Sequence, residues 1–137
     1  MNIKKIALGA LGFFLSSFVI QGILSMILAG EYFKSIPVFR ESPIMFFALP
    51  QTILSGIAFS ILFSFSNFKG TSLIRGLKFG LLVGLMIVPF IALDLPARFL
   101  IPSVWKWVVI QSVLGITHFG TTGILVGLIY KDKAKGI

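Results

Sequence analysis

Four long apolar runs constrain this chain more than any other feature of its sequence. Residues 6–28, 44–65, 79–93 and 108–130 contain no Lys, Arg, Asp or Glu. An α-helix rises about 1.5 Å per residue, so about 20 residues cross the ~30 Å hydrocarbon core of a bilayer. With their flanks, the runs predict a single transmembrane domain over residues 1–137, with helices at about 6–28, 44–65, 73–93 and 104–130.

The composition supports lipid as the solvent. Hydrophobic residues make up 57% of the chain and charged residues only 12%, too few to form the polar shell of a water-soluble domain. The net charge of +8 raises the question of nucleic acid. Because the basic residues cluster at the ends of the apolar runs and not on one face, we expect a lipid bilayer as the partner and no nucleic acid.

The distribution of basic residues predicts the orientation, because positive charge in short connections is retained in the cytoplasm. Eight of the 12 Lys and Arg residues lie in the N-terminus, the second connection and the C-terminus: Lys4, Lys5, Lys69, Arg75, Lys78, Lys131, Lys133 and Lys135. The other two connections hold Lys34, Arg40, Arg98 and Lys106. The fold class predicted is therefore an all-α, integral membrane four-helix bundle with both termini in the cytoplasm.

A weak internal similarity relates the two halves of the chain at an offset of about sixty residues. The segment that begins at Gln51 corresponds to the one that begins at Gln111, and each follows an acid, an arginine and a proline. Apolar helices share Leu, Ile and Gly by chance, so duplication and coincidence both remain open. A true repeat would be parallel, with an axis along the membrane normal.

Small residues recur at four-residue spacing along the predicted helices. Such stripes let helix backbones approach in lipid, where the hydrophobic effect contributes little. The predicted packing residues are Gly76, Gly80, Gly84, Gly56, Ser60, Gly123 and Gly127. Packing inside one bundle is the first interpretation and an oligomer interface the second, for which Gly80→Leu would weaken association. Pro89, inside the third run, predicts a kink.

His118 is the one ionisable side chain near the middle of a predicted span, and such residues are functional candidates. By helical spacing it shares a face with Gln111. One interpretation makes it a proton relay or ligand donor. The other is a neutral imidazole that donates to Gln21, Gln51 or a backbone carbonyl, so that His118→Gln is tolerated better than His118→Leu. With one His, no Cys and no acid within the spans, we expect no metal and no cofactor.

Charged residues of opposite sign recur in the two outer connections. They form either interfacial salt bridges or the mouth of a polar pocket between the helices. The residues of this candidate pocket are Glu31, Gln51, Asp94, Arg98, Gln111 and His118.

No sequence signature of catalysis is found, so we expect no enzyme. The span layout, the glycine-rich third and fourth helices and the Gly-x-x-x-Gly127 ending before a short basic tail resemble a group of uncharacterised bacterial four-helix membrane proteins. The resemblance covers the whole chain and implies a multi-pass protein of the bacterial cytoplasmic (inner) membrane. It implies no activity, substrate or catalytic residue.

Two functions follow from these patterns. The first is a non-catalytic subunit or scaffold that assembles with itself or with a larger membrane complex, because packing residues are many and intramembrane charges few. The alternative is a small transporter or ligand-binding membrane protein with a polar pocket open to the outer face. A cavity beside Gln111 and His118 would favour the alternative.

Overall fold

The computed structural model describes residues 2–40 and 42–131, and within them the chain forms four long helices and no strand. They are α1 (Ile3–Lys34), α2 (Met45–Phe65), α3 (Ser72–Arg98) and α4 (Val104–Ile129), and each is long and apolar enough to cross a membrane. The predicted all-α four-helix bundle is thus confirmed. Lys133 and Lys135, which entered the prediction of orientation, lie outside the described residues.

Two helices extend beyond the apolar runs that predict them. α1 continues to Lys34, past a non-helical residue at Ala29, and α3 continues to Arg98, which is about one and a half turns further than expected in each case. The extra turn of α1 carries Tyr32, whose buried ring belongs to an apolar cluster around Trp107. Its hydroxyl donates to the Pro102 carbonyl at 2.6 Å. The outer ends remain helical because they have an apolar cluster of their own.

The closest helix pair is α3 with α4, which meet along their glycines. A Cβ atom added at Gly80 would lie 2.9 Å from the Cα of Gly123, and one added at Gly127 would lie 2.9 Å from the Cα of Gly76. Carbon atoms in ordinary contact are about 3.5–4.0 Å apart. Only glycine therefore allows these two backbones to lie as close as they do.

α1 packs against both α2 and α4 through a second set of small residues. A Cβ at Gly56 of α2 would lie 2.9 Å from the carbonyl oxygen of Ala10 in α1. Between α1 and α4, the hydroxyls of Ser16 and Thr122 form a buried hydrogen bond of 2.5 Å. The hydrogen bond and the glycine contact together hold α1 against both α2 and α4.

α2 joins the bundle only by its second half. Phe59 and Phe63 of that half pack against Phe79 of α3, with ring centroids 4.9 Å and 5.2 Å apart. Residues 45–55 of the first half include no buried residue. Phe46 and Phe47 there are 79% and 68% exposed. This first half of α2 is thus free to contact lipid or another chain.

α1 and α3 each contain a segment of π-helix, which carries one more residue per turn than the α-helix. In α3 it covers Phe90–Asp94 and follows Pro89, whose ring has no N–H to donate. Trp107 of α4 donates its indole N–H to the Ile91 carbonyl there at 3.0 Å. In α1 the π-helical segment covers Phe18–Leu24, where no proline predicts it.

Candidate ligand-binding cleft

A cleft with a volume of about 720 Å³ lies in the half of the bundle that carries the connection from α1 to α2. It is bounded by α1, the connection that leads to α2, and α4. Its polar lining consists of Gln21, Ser25, Lys34, Arg40 and Gln111, and its apolar lining includes Met26, Phe33, Phe39 and Pro43. Pockets of ~300–1,000 Å³ with few polar groups among apolar ones are typical of small-molecule sites.

The π-helical segment of α1 positions the deep polar wall of the cleft. Gln21 lies within this segment and Ser25 follows it directly. The Ser25 hydroxyl donates to the backbone carbonyls of Gln21 and of Gly22, the latter at 3.0 Å. These bonds hold the Ser25 side chain against the backbone of the π-helical segment. π-helical segments of this kind occur frequently at functional sites.

The two amide side chains of the cleft, Gln21 and Gln111, are half-buried. Neither side chain has a hydrogen-bond partner within residues 2–40 and 42–131. In lipid an amide without a partner is costly. We therefore expect the two amides to form hydrogen bonds with water or with the polar atoms of a ligand.

An aromatic cluster holds the roof of the cleft in place. Trp107 is 1% exposed, and its ring centroid lies 5.7 Å from that of Phe39 and 6.3 Å from that of Phe33. Ile36, between these two phenylalanines, is equally buried in the same cluster. The connection after α1 is thus packed onto α4, and the exposed residues Lys34 and Arg40 lie beside the cleft.

One glycine opens directly into the cleft. A Cβ atom added at Gly30 would meet only the terminal methyl of Met26, at 3.8 Å. Gly22, one helix face away, does not line the cleft, and a Cβ there would meet only Phe18, at 4.0 Å. Larger side chains at Gly30 should therefore fill the cleft, whereas those at Gly22 should extend into lipid.

Of the six residues predicted to line a polar pocket, the structure places only Gln111 in this cleft. Glu31 is exposed and pairs with Lys34 at 3.0 Å, while Asp94 pairs with Arg98 at 2.7 Å. Each pair lies within the end of a single helix, so neither pair joins the α1–α2 connection to the α3–α4 connection.

Gln51, the counterpart of Gln111 in the suspected repeat, is exposed on α2 and donates to Ser55 at 3.0 Å. The two glutamines thus differ in environment, and the internal repeat stays a prediction.

His118 is buried in the core and does not reach the cleft. Its ring lies edge-on to Phe13, with centroids 5.1 Å apart, and also contacts Phe119 at 5.0 Å. Nε2 is buried, with no hydrogen-bond partner in the part of the chain that the structure describes. Tight aromatic packing around the ring leaves no room for a ligand there.

The seven residues predicted to pack helices all lie at contacts within the chain. Gly76, Gly80 and Gly84 of α3 face α4, and Gly123 and Gly127 of α4 face α3. Gly56 and Ser60 of α2 face α1. These stripes are used inside the bundle and are not available to a second copy.

Sequence reasoning missed Gln21, Ser25, Lys34 and Arg40 as parts of one site. Gln21 gave a usable signal, because a glutamine within an apolar run must face protein or water by the same argument that singled out His118. Lys34 entered only the prediction of orientation, whereas Arg40 was also one of the charges in the outer connections that were expected to form salt bridges or the mouth of a pocket.

A second, apolar groove of about 440 Å³ lies between α3 and α4 beside Pro89. It contains one polar side chain, Ser112, among Leu, Val and Ile residues. Its lining matches the lipid-exposed surface of any such bundle, so the cleft by α1 is the stronger candidate.

The fold and the cleft together define a small four-helix protein with a polar cleft between α1 and α4. No group of three or more metal-binding side chains occurs in the described part of the chain. No protein-family model matches the sequence, and comparisons with characterised proteins and with solved structures found no match.

Proposed function

We propose that this chain is a non-catalytic membrane protein that binds an amphipathic ligand in the cleft between α1 and α4. The observation that carries the proposal is the pair of unpartnered amides, Gln21 and Gln111, beneath a mouth with Lys34 and Arg40. A ligand with a polar head and an apolar tail satisfies both kinds of lining. The cleft has the volume of a small-molecule site, and the aromatic roof holds it preformed.

The side chains that line the cleft support a non-catalytic role. Among the residues that the structure describes, no carboxylate lines the cleft, and its polar side chains are two amides, one hydroxyl and two cations. Such groups bind and orient a ligand, but they include no pair of acid and base that would transfer protons near neutral pH. Binding, transport or presentation of the ligand is the activity that this lining suits.

The test compares a variant that fills the cleft with a matched one that does not. The full chain is purified in mild detergent from cells, and the ligands that it retains are measured by native mass spectrometry. Gly30→Leu should remove a retained amphiphile because its side chain enters the cleft, whereas Gly22→Leu on the same helix should keep it. Equal retention by both variants would contradict the proposal.

A second pair of variants tests the amides. Gln21→Leu and Gln111→Leu should each lower retention, while Gln51→Leu, which replaces an exposed glutamine of α2, should leave retention unchanged. If the Gln51 variant lost as much ligand as the other two, the amides of the cleft would have no special part in binding.

The proposed location is the bacterial cytoplasmic membrane, with both termini in the cytoplasm. The excess of Lys and Arg in the inner connection supports this orientation, and it places the cleft in the outer leaflet. The native chain has no cysteine, so single cysteines report position cleanly. Ser42→Cys should react with an impermeant thiol reagent from outside the cell, and Asn67→Cys only after the membrane is opened. The reverse pattern would invert the topology.

A scaffold or subunit function is the second candidate, supported by the outer half of α2. Phe46 and Phe47 lie on this half, which has no buried residue over positions 45–55. A partner chain that covered it would bury apolar surface without disturbing the bundle. Gly80→Leu is not a clean test because Gly80 faces α4. Instead, the mass of the detergent-solubilised particle should exceed that of one chain and fall to one chain in a Phe46→Ala, Phe47→Ala double variant.

A further inference from the structure

Within residues 2–40 and 42–131, the charged side chains that line the cleft have one sign. Lys34 and Arg40 belong to the lining, whereas Glu31, which pairs with Lys34 at 3.0 Å, does not. The Glu31 side chain is 93% exposed. The cleft therefore presents a cationic mouth to whatever enters it, above two neutral amides and an apolar wall.

The position of these two cations runs against the usual distribution of charge in membrane proteins. In the proposed orientation, only four of the 12 Lys and Arg residues are on the outer side, where positive charge is disfavoured. Arg98 is bound to Asp94, and Lys106 lies 5.0 Å from the centroid of the Tyr32 ring. The other two, Lys34 and Arg40, line the cleft, and Lys34 also pairs with the exposed Glu31.

We propose that the ligand of the cleft is an amphiphile whose head is an anionic phosphate ester, held between Lys34 and Arg40, with its apolar part along Met26, Phe33 and Pro43. This inference rests on the cleft-binding function proposed above and specifies the class of ligand. In the outer leaflet of a bacterial membrane, anionic phospholipids supply this chemistry.

The side chains suit such a headgroup. A guanidinium presents donors in a fork that matches the oxygens of a phosphate, and an ammonium adds a mobile positive charge. The bond between Lys34 and Glu31 is exposed, and such pairs are weak, so Lys34 is able to exchange the carboxylate for a phosphate. The contact with Glu31 then keeps the ammonium near the mouth when no ligand is bound.

The amides complete the match below the head. An ester carbonyl or a glycerol hydroxyl accepts a hydrogen bond from an amide N–H, and Gln21 and Gln111 both have N–H groups without partners in the described residues. Ester groups lie just beneath the phosphate in a phospholipid. The order of chemistry along the cleft, from cations to amides to apolar side chains, is the order along such a lipid.

The experiment measures competition between lipids of different charge. The purified full chain is exchanged into detergent with equal amounts of phosphatidylglycerol and phosphatidylcholine of the same acyl chains, and bound lipid is quantified by native mass spectrometry. The wild type should retain phosphatidylglycerol preferentially. Lys34→Gln and Arg40→Gln should each reduce that preference about fivefold, the effect expected for one basic residue at a membrane surface.

Lys106→Gln is the matched control, because it removes a cation from the same interface outside the cleft, and it should leave the preference unchanged. A second arm adds inorganic phosphate in place of lipid and follows thermal unfolding. Phosphatidylglycerol should raise the unfolding temperature, and inorganic phosphate alone should not, because it lacks the apolar part. Equal stabilisation by inorganic phosphate would overturn the amphiphile and point to a free anion.

The outcomes separate this inference from the proposal on which it rests. If the wild type retains both lipids equally while Gly30→Leu lowers both, the cleft binds amphiphiles but the anionic headgroup is refuted. The same holds if a preference for phosphatidylglycerol persists in the Lys34→Gln, Arg40→Gln double variant. If Gly30→Leu has no effect on either lipid, the binding function itself fails.

Discussion

Replacing Gly80 with alanine tests whether the α3–α4 contact is as close as the structure shows. The added Cβ would lie 2.9 Å from the Cα of Gly123 and also against the backbone of Phe119. Both neighbours are backbone atoms of a helix, which cannot turn aside as a flexible side chain does. The two helices must therefore separate locally, or the new methyl group must remain compressed.

The size of the effect follows from the distances. Ordinary carbon contacts begin near 3.5 Å, so the Gly123 contact alone requires a separation of roughly 0.6 Å, and the Phe119 carbonyl oxygen, which is closer still, requires more. A gap of about 0.6–1 Å forfeits about a quarter to a half of each contact energy of ~0.1–0.2 kcal/mol, and a glycine interface several turns long holds a few dozen such contacts. We expect Gly80→Ala to lower the free energy of unfolding by about 1–3 kcal/mol, the range measured for overpacked interiors.

Gly120→Ala is the matched control on the partner helix α4. A Cβ there would meet only side-chain ends of Leu77 and Leu81, at 3.6 Å and 3.9 Å. This substitution should leave stability unchanged or raise it by up to about 1 kcal/mol, because alanine favours the helix more than glycine. The assay is equilibrium unfolding in mixed micelles, in which a denaturing detergent is titrated and helix content is followed. Equal stability of the two variants would refute the close approach of α3 and α4.

Two further predictions use the same unfolding assay. Thr122→Val removes the hydrogen bond to Ser16 and should lower the free energy of unfolding by about 0.6 kcal/mol, at most ~1.7. Thr121→Val, on the exposed face of α4, should leave the free energy of unfolding unchanged. Equal losses in the two variants would refute the contribution assigned to that bond. For His118 the structure reverses the expectation from sequence. The Phe13 carbonyl accepts a hydrogen bond from Ser16 at 3.0 Å, and His118 Nε2 has no partner among the described residues. Removing the imidazole therefore leaves neither group in need of a new partner. His118→Leu should therefore remain within about 1 kcal/mol of the wild type and be more stable than His118→Gln, and a large loss in the leucine variant alone would contradict this.

The sequence was sufficient for the number of helices and for the presence of packing faces. Long apolar runs without charge have few alternatives to membrane-spanning helices, because every backbone polar group must be satisfied in lipid. Four-residue spacing of glycines likewise predicts a face that approaches another helix. It does not specify which helix, and the structure pairs Gly76 and Gly80 with α4.

The cleft was largely beyond prediction because it depends on how α1 is wound. The segment Phe18–Leu24 is π-helical, yet its residues are those of any apolar helix, and hydropathy does not register an extra residue in a turn. The same applies to the turn that ends at Lys34, where packing against Trp107 keeps the chain helical. The site depends on local helix winding and on contacts between helices that are distant in sequence. The periodicity of hydrophobic residues predicts neither.

The central claim is that the cleft between α1 and α4 holds an amphiphile, and the most direct measurement is an experimental structure of the full chain in lipid nanodiscs that contain phosphatidylglycerol. The account predicts elongated density in the cleft, with its head between Lys34 and Arg40 and its body within hydrogen-bonding distance of Gln21 and Gln111. The account would be contradicted by a cleft closed by direct hydrogen bonds between Gln21 and Gln111, with no density between α1 and α4.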